Sequence, residues 1–420
     1  MEIQLTNDKP AILGGEKAFT GRFSRWPIYD RSEEDSLSEV LHSSKWGRLD
    51  GKVTAQFEAE YARMMGMKHC LATSGGTTAL YTMLGALEIG PGDEVIIPAY
   101  TFVATYNVVV LNYALPILCD TDMDSFQIDT RKMEKAVTKE TKVLMPVHMG
   151  GIPADLDKIM AVSQKYKIPV VEDACQAPGS EWRGKKVGAY GVGGAFSFQS
   201  SKNLNCAEGG AVTTNDTDFY NTCFSFHHQG HTANEATFGT GIGVRATNAR
   251  MTEWQSRMLL AQMTRLQEQD RIRSENAAYL TQLFNEIKGI YPAKLYNGTT
   301  KVSYHLYMFR YDKAHFAGMT RDRFIEALRA EGISASTGYG RLNRDPYVLA
   351  LQKNPHFLKI YGEKTMKQWA ERNQCPQNDK LTSDQALWFT QPMLLGPKQN
   401  MDQIAEAVRK IQKYAKELSR

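Results

Sequence analysis

Several short stretches place a reactive or anion-binding group directly after an apolar run. Thr73-Ser74-Gly75-Gly76-Thr77-Thr78 opens a helical pattern. Its glycines let the backbone curl, and the free N–H groups of a helix N-terminus attract a phosphate; a plain glycine turn capped by threonine has the same pattern. In Val170-Val171-Glu172-Asp173-Ala174-Cys175-Gln176, Asp173 sits just past a buried strand. A carboxylate there is costly unless it meets a cation, or else it caps the next helix. Phe196-Ser197-Phe198-Gln199-Ser200-Ser201-Lys202 sets one lysine among small polar residues, before Glu208-Gly209-Gly210. That lysine is either a desolvated amine nucleophile or an ordinary surface cation. Asn248-Ala249-Arg250-Met251-Thr252 opens a long helical stretch and leaves Asn248 able to reach a neighbour.

The elements that must hold these residues alternate in type. Residues 77–88 repeat Leu80, Met83, Leu84 and Leu87 at helical spacing, and Gly90-Pro91-Gly92-Asp93 turns the chain. Short apolar runs at 94–98, 115–119, 142–147 and 168–171 read as buried strands, separated by helices over 100–113 and 155–167. This strand–helix–strand rhythm predicts an α/β fold with a mostly parallel central sheet. Residues 193–198 and 209–214 read as two further strands flanking the lysine loop, near a hairpin. A long helix over 251–285 connects to a smaller α+β C-terminal domain. That domain is read as a strand over 303–311, a helix over 320–331 capped by Thr320 and stopped at Gly332, a short strand over 333–336 and a terminal helix over 402–418. The expected division is an N-terminal arm (1–40), a large domain (41–285) and a small C-terminal domain (286–420).

Composition narrows the function classes. At 420 residues with 42% hydrophobic residues the chain can bury a large core, which excludes disordered, collagen-like and disulfide-scaffold classes. The net charge of +4 leaves no electrostatic footprint for nucleic acid. The start, Met1-Glu2-Ile3-Gln4, shows no signal peptide, and the most apolar region, 95–119, is broken by Pro98, Asn107, Asn112 and Pro116, so no membrane association is expected. The six cysteines form no CxxC pair and fit a reducing, cytoplasmic home. His227, His228 and His231 form an HHxxH cluster with no nearby acid to complete a metal site, and no metal is expected. Gly239-Thr240-Gly241-Ile242-Gly243 has a nucleotide-loop look, but no strand precedes it and its spacing is wrong.

Together, the lysine, the acid and the phosphate cup match a phosphorylated pyridine aldehyde. The ordered set GGTTAL, GDEVIIPAYTFVAT, VEDACQAPG, FSFQSSKNL, EGGAV and NARM resembles the DegT/DnrJ/EryC1/StrS family over nearly the whole chain, from about Trp26 onward. These are fold-type I pyridoxal-phosphate aminotransferases acting on keto-sugars and keto-cyclitols. The resemblance implies pyridoxal 5′-phosphate as cofactor, with Lys202 carrying its aldehyde and then moving a proton. It implies that Asp173 pairs with the pyridine nitrogen, Gln176 meets the ring hydroxyl, and Phe102 stacks on the ring. Gly76, Thr77 and Ser197 would hold the phosphate. Asn248 would reach the phosphate of the other subunit, making a homodimer with shared active sites.

A sister branch carries histidine at the lysine position and dehydrates deoxysugars; Lys202 sets this chain apart from it. Trp26-Pro27-Ile28-Tyr29, Lys45-Trp46-Gly47-Arg48 and the lysine loop resemble the branch that aminates scyllo-inosose-type cyclitols or makes aminohydroxybenzoate, with a departure at Asn205-Cys206-Ala207. The expected activity is amino transfer from L-glutamate or L-glutamine to a keto-cyclitol or keto-sugar in two half-reactions. Tyr29, Arg48 and Tyr339 are the candidate substrate residues. The alternatives are a nucleotide-linked 3- or 4-keto-sugar substrate, or a non-catalytic cofactor-binding regulator. A regulator of that kind carries an added DNA-binding domain, for which the first forty residues are too few and too weakly basic.

Overall fold

The computed structural model describes residues 8–232 and 245–419, so the Gly239–Gly243 motif lies outside the described residues. Short apolar runs bounded by turns form a central sheet from β1 (His69–Thr73), β2 (Glu94–Pro98), β3 (Leu115–Cys119), β4 (Thr141–Leu144), β5 (Val171–Asp173), β6 (Gly193–Ser197) and β7 (Gly210–Thr214). The order β1-β7-β6-β5 forms one block and β3-β2-β4 another. Parallel bridges Leu144–Val170 and Val147–Asp173 stitch the two together. Every pairing is parallel except those of β7, which runs against both β1 and β6. Strands β2, β3, β6 and β7 are buried at every position. Apolar runs without alternation are what a sheet covered on both faces requires.

The covering helices are α1 (Arg31–Ser43), α2 (Val53–Met65), α3 (Gly76–Ala86), α4 (Ala104–Leu111), α5 (Leu156–Tyr166) and the long α6 (Glu253–Asn285). Leu80, Met83 and Leu84 of α3 pack with Val95, Ile96, Ile97 and Val171 in one core. Phe57 and Tyr61 of α2 pack with Phe196, Phe198 and Leu259 of α6 in another. A separate antiparallel sheet joins β8 (Ile290–Pro292), β9 (Leu306–Tyr311) and β10 (Ala386–Thr390) in that order. With α7 (Arg321–Ala330), α8 (Pro355–Arg372) and α9 (Gln399–Lys413) the chain reaches its C-terminal region. Phe309, Phe389, Leu328 and Ile404 share a core there with Ala277, Leu280 and Phe284 of α6. Helix α6 thus contributes to two of these three cores.

Several expected elements shift. The helix expected over 100–113 begins only at Ala104; Thr101 and Phe102 line a cavity instead. The strand expected over 333–336 reduces to a single Ser336–Trp388 bridge. The C-terminal strand β9 lies between antiparallel partners rather than in a β-α-β unit. The terminal helix breaks after Lys413 and resumes at Ala415–Leu418. Helix α1 runs across the expected limit at residue 40, tied to α6 by the bond from Gln262 Nε2 to Glu33 at 2.6 Å.

Candidate active site

The parallel strands end on one edge of the sheet, and the polar residues found in sequence meet there. Strand β1 gives way to the turn Ser74-Gly75-Gly76. Thr73 Oγ1 and Thr78 Oγ1 both donate to Gly75 O, at 3.0 and 2.7 Å. No side chain caps the first turn of α3, so its leading N–H groups remain available. Glycine is required at 76 by crowding: a Cβ would lie 2.7 Å from Ser197 Cβ and 2.9 Å from Cys175 Sγ. A Cβ on Gly210 would lie 2.3 Å from Gly75 O, so β7 also holds the turn from behind. The result is a cradle of backbone N–H groups beside the Ser197 hydroxyl.

Strand β5 carries the acid. Asp173 is buried, and its Oδ2 accepts from Thr105 Oγ1 at 2.9 Å, while Oδ1 accepts from Cys175 N at 3.2 Å. Thr105 is itself 2.8 Å from Thr101 Oγ1. The neighbouring Glu172 points the other way, as alternate strand residues must. It accepts from His148 Nε2 at 3.0 Å and from the N–H groups of Gly188, Tyr190 and Gly191 at 2.7, 2.7 and 2.9 Å. Ala154 N donates to His148 Nδ1 at 3.1 Å, which leaves the ring proton on Nε2, facing the carboxylate.

The loop between β6 and β7 carries Lys202. Ser200 N donates to Ala207 O, Cys206 N to Phe198 O and Phe198 N to Gly209 O, closing a hairpin-like loop of fixed shape. Asn203 Nδ2 donates to Ser303 O at 2.7 Å and pins the loop against the segment before β9. Burial pushes the Lys202 pKa down, against the pull of Cys175 and Asp173. Among the described residues the Lys202 amine forms no hydrogen bond or ion pair, so its nitrogen is left for a ligand.

These groups line one cavity of about 640 Å³. Gly76, Thr77, Phe102, Asp173, Gln176, Ser197, Lys202 and Tyr339 all face it. Gln176 Oε1 accepts from Gly150 N at 2.8 Å and its Nε2 donates to the Tyr339 hydroxyl at 3.0 Å. Burial pushes the Tyr339 pKa up to about 12, so the phenol stays protonated. Phe102 is 54% exposed and tilts toward Tyr339 with ring centroids 6.1 Å apart. A larger hollow of about 870 Å³ beside α1, α2 and α6 contains Arg63, Arg257 and Asp270. Their charges are spent on Glu60, Glu39 and Arg273, so the smaller cavity is the chemical one.

Three candidates stand outside this cavity's lining. Tyr29 is 64% exposed on the surface. Arg48 is committed to a two-armed pair with the buried Glu58, which also accepts from Ala72 N; a carboxylate inside the protein needs that cation. Asn248 Oδ1 accepts from Arg250 N at 3.4 Å, although Ala249 O beside it holds Ser74 N of the cradle. His227 donates through Nδ1 to Phe224 O, and His228 Nδ1 faces Arg250 Nη1 at 2.9 Å. Among the described residues no group of three His, Cys, Asp or Glu is placed to hold a metal. Thr105, Glu208 and His305 line or brace the cavity without having been singled out in sequence. Thr105 had a readable signal in the TFVAT motif; His305 had none, because only tertiary folding brings it near Lys202.

The sequence profile of the DegT/DnrJ/EryC1/StrS aminotransferase family matches residues 27–386. The chain belongs to that family. Among solved structures, 3-amino-5-hydroxybenzoic acid synthase superposes with a TM-score of 0.81 at 31% identity, covering 93% of this chain and 98% of that one. L-glutamine:2-deoxy-scyllo-inosose aminotransferase of Streptoalloteichus tenebrarius is 32% identical, over 97% of this chain and 98% of its own. GDP-perosamine synthase of Caulobacter vibrioides is 35% identical, over 74% of this chain and 82% of its own. The protein is a pyridoxal-phosphate-dependent aminotransferase. The cavity suits that cofactor: uncapped N–H groups and a hydroxyl at a position too crowded for any side chain at 76, a buried acid and a free, half-buried amine are the donor set it requires. No helix among the described residues is long and apolar enough to cross a membrane.

Proposed function

We propose that this aminotransferase moves an amino group from L-glutamine or L-glutamate to a keto-cyclitol, in two half-reactions at one cavity. The observation that carries the reading is the convergence of Lys202, Asp173 and the Gly76–Ser197 cradle on a single cavity. The cofactor, when bound, supplies an aldehyde that takes up the amino group and a pyridine ring that accepts electrons. Gly76, Thr77 and Ser197 hold its phosphate. Phe102 covers the ring face and Gln176 meets the ring hydroxyl. Asp173, braced by Thr105, keeps a proton on the ring nitrogen. Lys202 would take the proton from the donor's α-carbon in the first half-reaction and deliver one to the acceptor's carbonyl carbon in the second; taking it requires a neutral amine, and burial favours that form. Tyr339 lines the substrate side of the cavity. The relatives that act on scyllo-inosose compounds support a cyclitol, and the likeness to GDP-perosamine synthase supports a nucleotide-linked keto-sugar as the second reading.

The working unit in this reading is a cytoplasmic homodimer. Cysteines without a disulfide among the described residues support the compartment. The open, half-exposed Phe102 side of the cavity and the absence of Asn248 from the described lining of its own chain's cavity support a site completed by the partner's Asn248. The domain division in this reading is 1–40, 41–285 and 286–420; the core that Phe309, Leu328 and Ile404 form with the C-terminal half of α6 supports a separate small domain, while Phe357, Met366 and Trp369 pack into the core of the large one and α1 crosses residue 40. Incubation of the holoenzyme with L-glutamine or L-glutamate should convert the cofactor spectrum and release keto acid. Coupled turnover with keto-cyclitols should exceed that with nucleotide-linked keto-sugars, and the reverse order would select the second reading. Hybrid dimers of Lys202→Ala and Asn248→Ala subunits should regain activity; no recovery would count against shared sites.

A further inference from the structure

The described lining of the cavity contains no arginine, and Lys202 and His305 are its only nitrogen bases. Lys202 is committed to proton transfer, whereas His305 has no part in the chemistry above. It is 7% exposed, and its Nδ1 is sealed from solvent with no hydrogen-bond partner among the described residues. A buried N–H without an acceptor is rarer and costlier than a buried lone pair, which puts the ring proton on Nε2, at the unsealed edge. Burial, then the charges of Lys202 and Arg273, hold the ring's pKa well below the usual 6.5, so the ring is neutral and presents a single N–H.

The fold invests in this placement. Tyr304, just before His305, has a φ of 48°, a left-handed conformation that costs an aromatic residue about 1 kcal/mol or more. Ser303 holds the segment in place: its N–H donates to Ser180 Oγ at 2.9 Å and its carbonyl accepts from Asn203, the residue after Lys202. Strain retained beside a reactive amine, around a polar group with no partner inside the protein, marks a group reserved for a ligand.

We propose that His305 receives the α-carboxylate of the amino donor through its cavity-facing N–H. This rests on the amino-acid donor in the reading above. An α-amino acid must bring its carboxylate close to the carbon that loses a proton to Lys202, and the described lining offers no arginine to meet it. An anion gains more from a buried N–H than a neutral hydroxyl does, which favours the donor's carboxylate over a hydroxyl of the keto substrate.

The test uses cofactor-loaded protein. In the donor half-reaction with L-glutamine or L-glutamate, His305→Ala should raise the half-saturating donor concentration about tenfold or more, as expected for a lost hydrogen bond to a charged group. Limiting rate and half-saturation for the keto acceptor should stay within about threefold. His305→Asn, polar but too short to reach, should match His305→Ala and serves if that variant folds poorly. His305→Gln, which restores a donor at similar reach, should recover most of the affinity. Glutarate, a non-reacting dicarboxylate, should bind the wild type calorimetrically and lose about tenfold in affinity in the Ala and Asn variants. An unchanged donor half-saturation, or a rise confined to the keto acceptor, overturns the assignment. Should the wild type release keto acid from no amino acid, the functional reading fails on its own, and the glutarate titration still decides whether His305 binds carboxylate.

Discussion

The two sides of β5 carry the same chemical group and use it differently. Glu172 faces the Gly188–Gly191 loop and is saturated: one imidazole and three backbone N–H groups occupy its oxygens. Asp173, one residue on, faces the cavity and takes one hydroxyl and one N–H. Both are buried, so neither is solvated by bulk water. A buried carboxylate with all its partners inside the protein works as a fastener. One with capacity left toward a cavity is available to a ligand, and the fastener beside it holds it in place. The same contrast separates Arg48, consumed by Glu58, from Lys202, which is left without a partner.

The most severe way to break the contrast is at the amine. Lys202→Ala should lower turnover by about five orders of magnitude, since in the proposed reading the amine serves both attachment and proton transfer. Borohydride should then no longer fix cofactor to the chain, and fixation in the variant would place the attachment elsewhere. Asp173→Asn should cost about three orders of magnitude in turnover while the melting temperature hardly moves. Glu172→Gln should do the converse: a loss of about 3 kcal/mol in stability, because backbone donors lose a charged acceptor in the interior, with turnover of the folded fraction largely kept. Equal effects of the two substitutions on folding and on turnover would erase the distinction between fastener and reagent.

The same carboxylate predicts a pH dependence. Burial works to raise the pKa of Glu172, but His148 and the backbone donors outweigh it and hold the group below the ordinary carboxylate range. A folded-state pKa below the unfolded one adds stability that is complete above the unfolded value, near pH 4.5, and is lost as pH falls through the folded value. Acid unfolding of Glu172→Gln should therefore be shallower than that of the wild type in this window, and parallel curves would assign the acid sensitivity to other groups.

What could be read from the sequence follows the range of the interactions. Strands β2 and β3 were legible to the residue because unbroken apolar runs between turn residues leave one reading. The Lys202 loop, Asp173 and the Gly75-Gly76 turn were legible because each follows a strand end directly. Strand β10 was not, because its identity comes from pairing with β9, far away in sequence. Tyr29 and Arg48 were assigned to substrate from local motif likeness, yet Arg48 is fixed by Glu58, a partner that no local pattern pairs with it. Glu172 read only as the neighbour of Asp173; its role depends on donors from a loop and from His148.

The mildest test lies at the cavity's edge, at Tyr339. Its hydroxyl accepts from Gln176 Nε2 at 3.0 Å, and Gln176 is also held through Oε1 by Gly150 N. Tyr339→Phe removes the acceptor but keeps the ring packing against Trp388, with centroids 4.8 Å apart. Gln176 then keeps one anchor and loses the other, which costs about 1 kcal/mol if nothing replaces it. In the proposed reading the cradle and Lys202 also hold the cofactor, so its content should stay full. The change should appear as a roughly threefold to fivefold rise in half-saturation for the keto substrate, with the donor half-reaction unaltered. A fall in cofactor content would instead show that the Tyr339 hydroxyl holds Gln176 for the cofactor, and would move Tyr339 from the substrate's side of the cavity to the cofactor's.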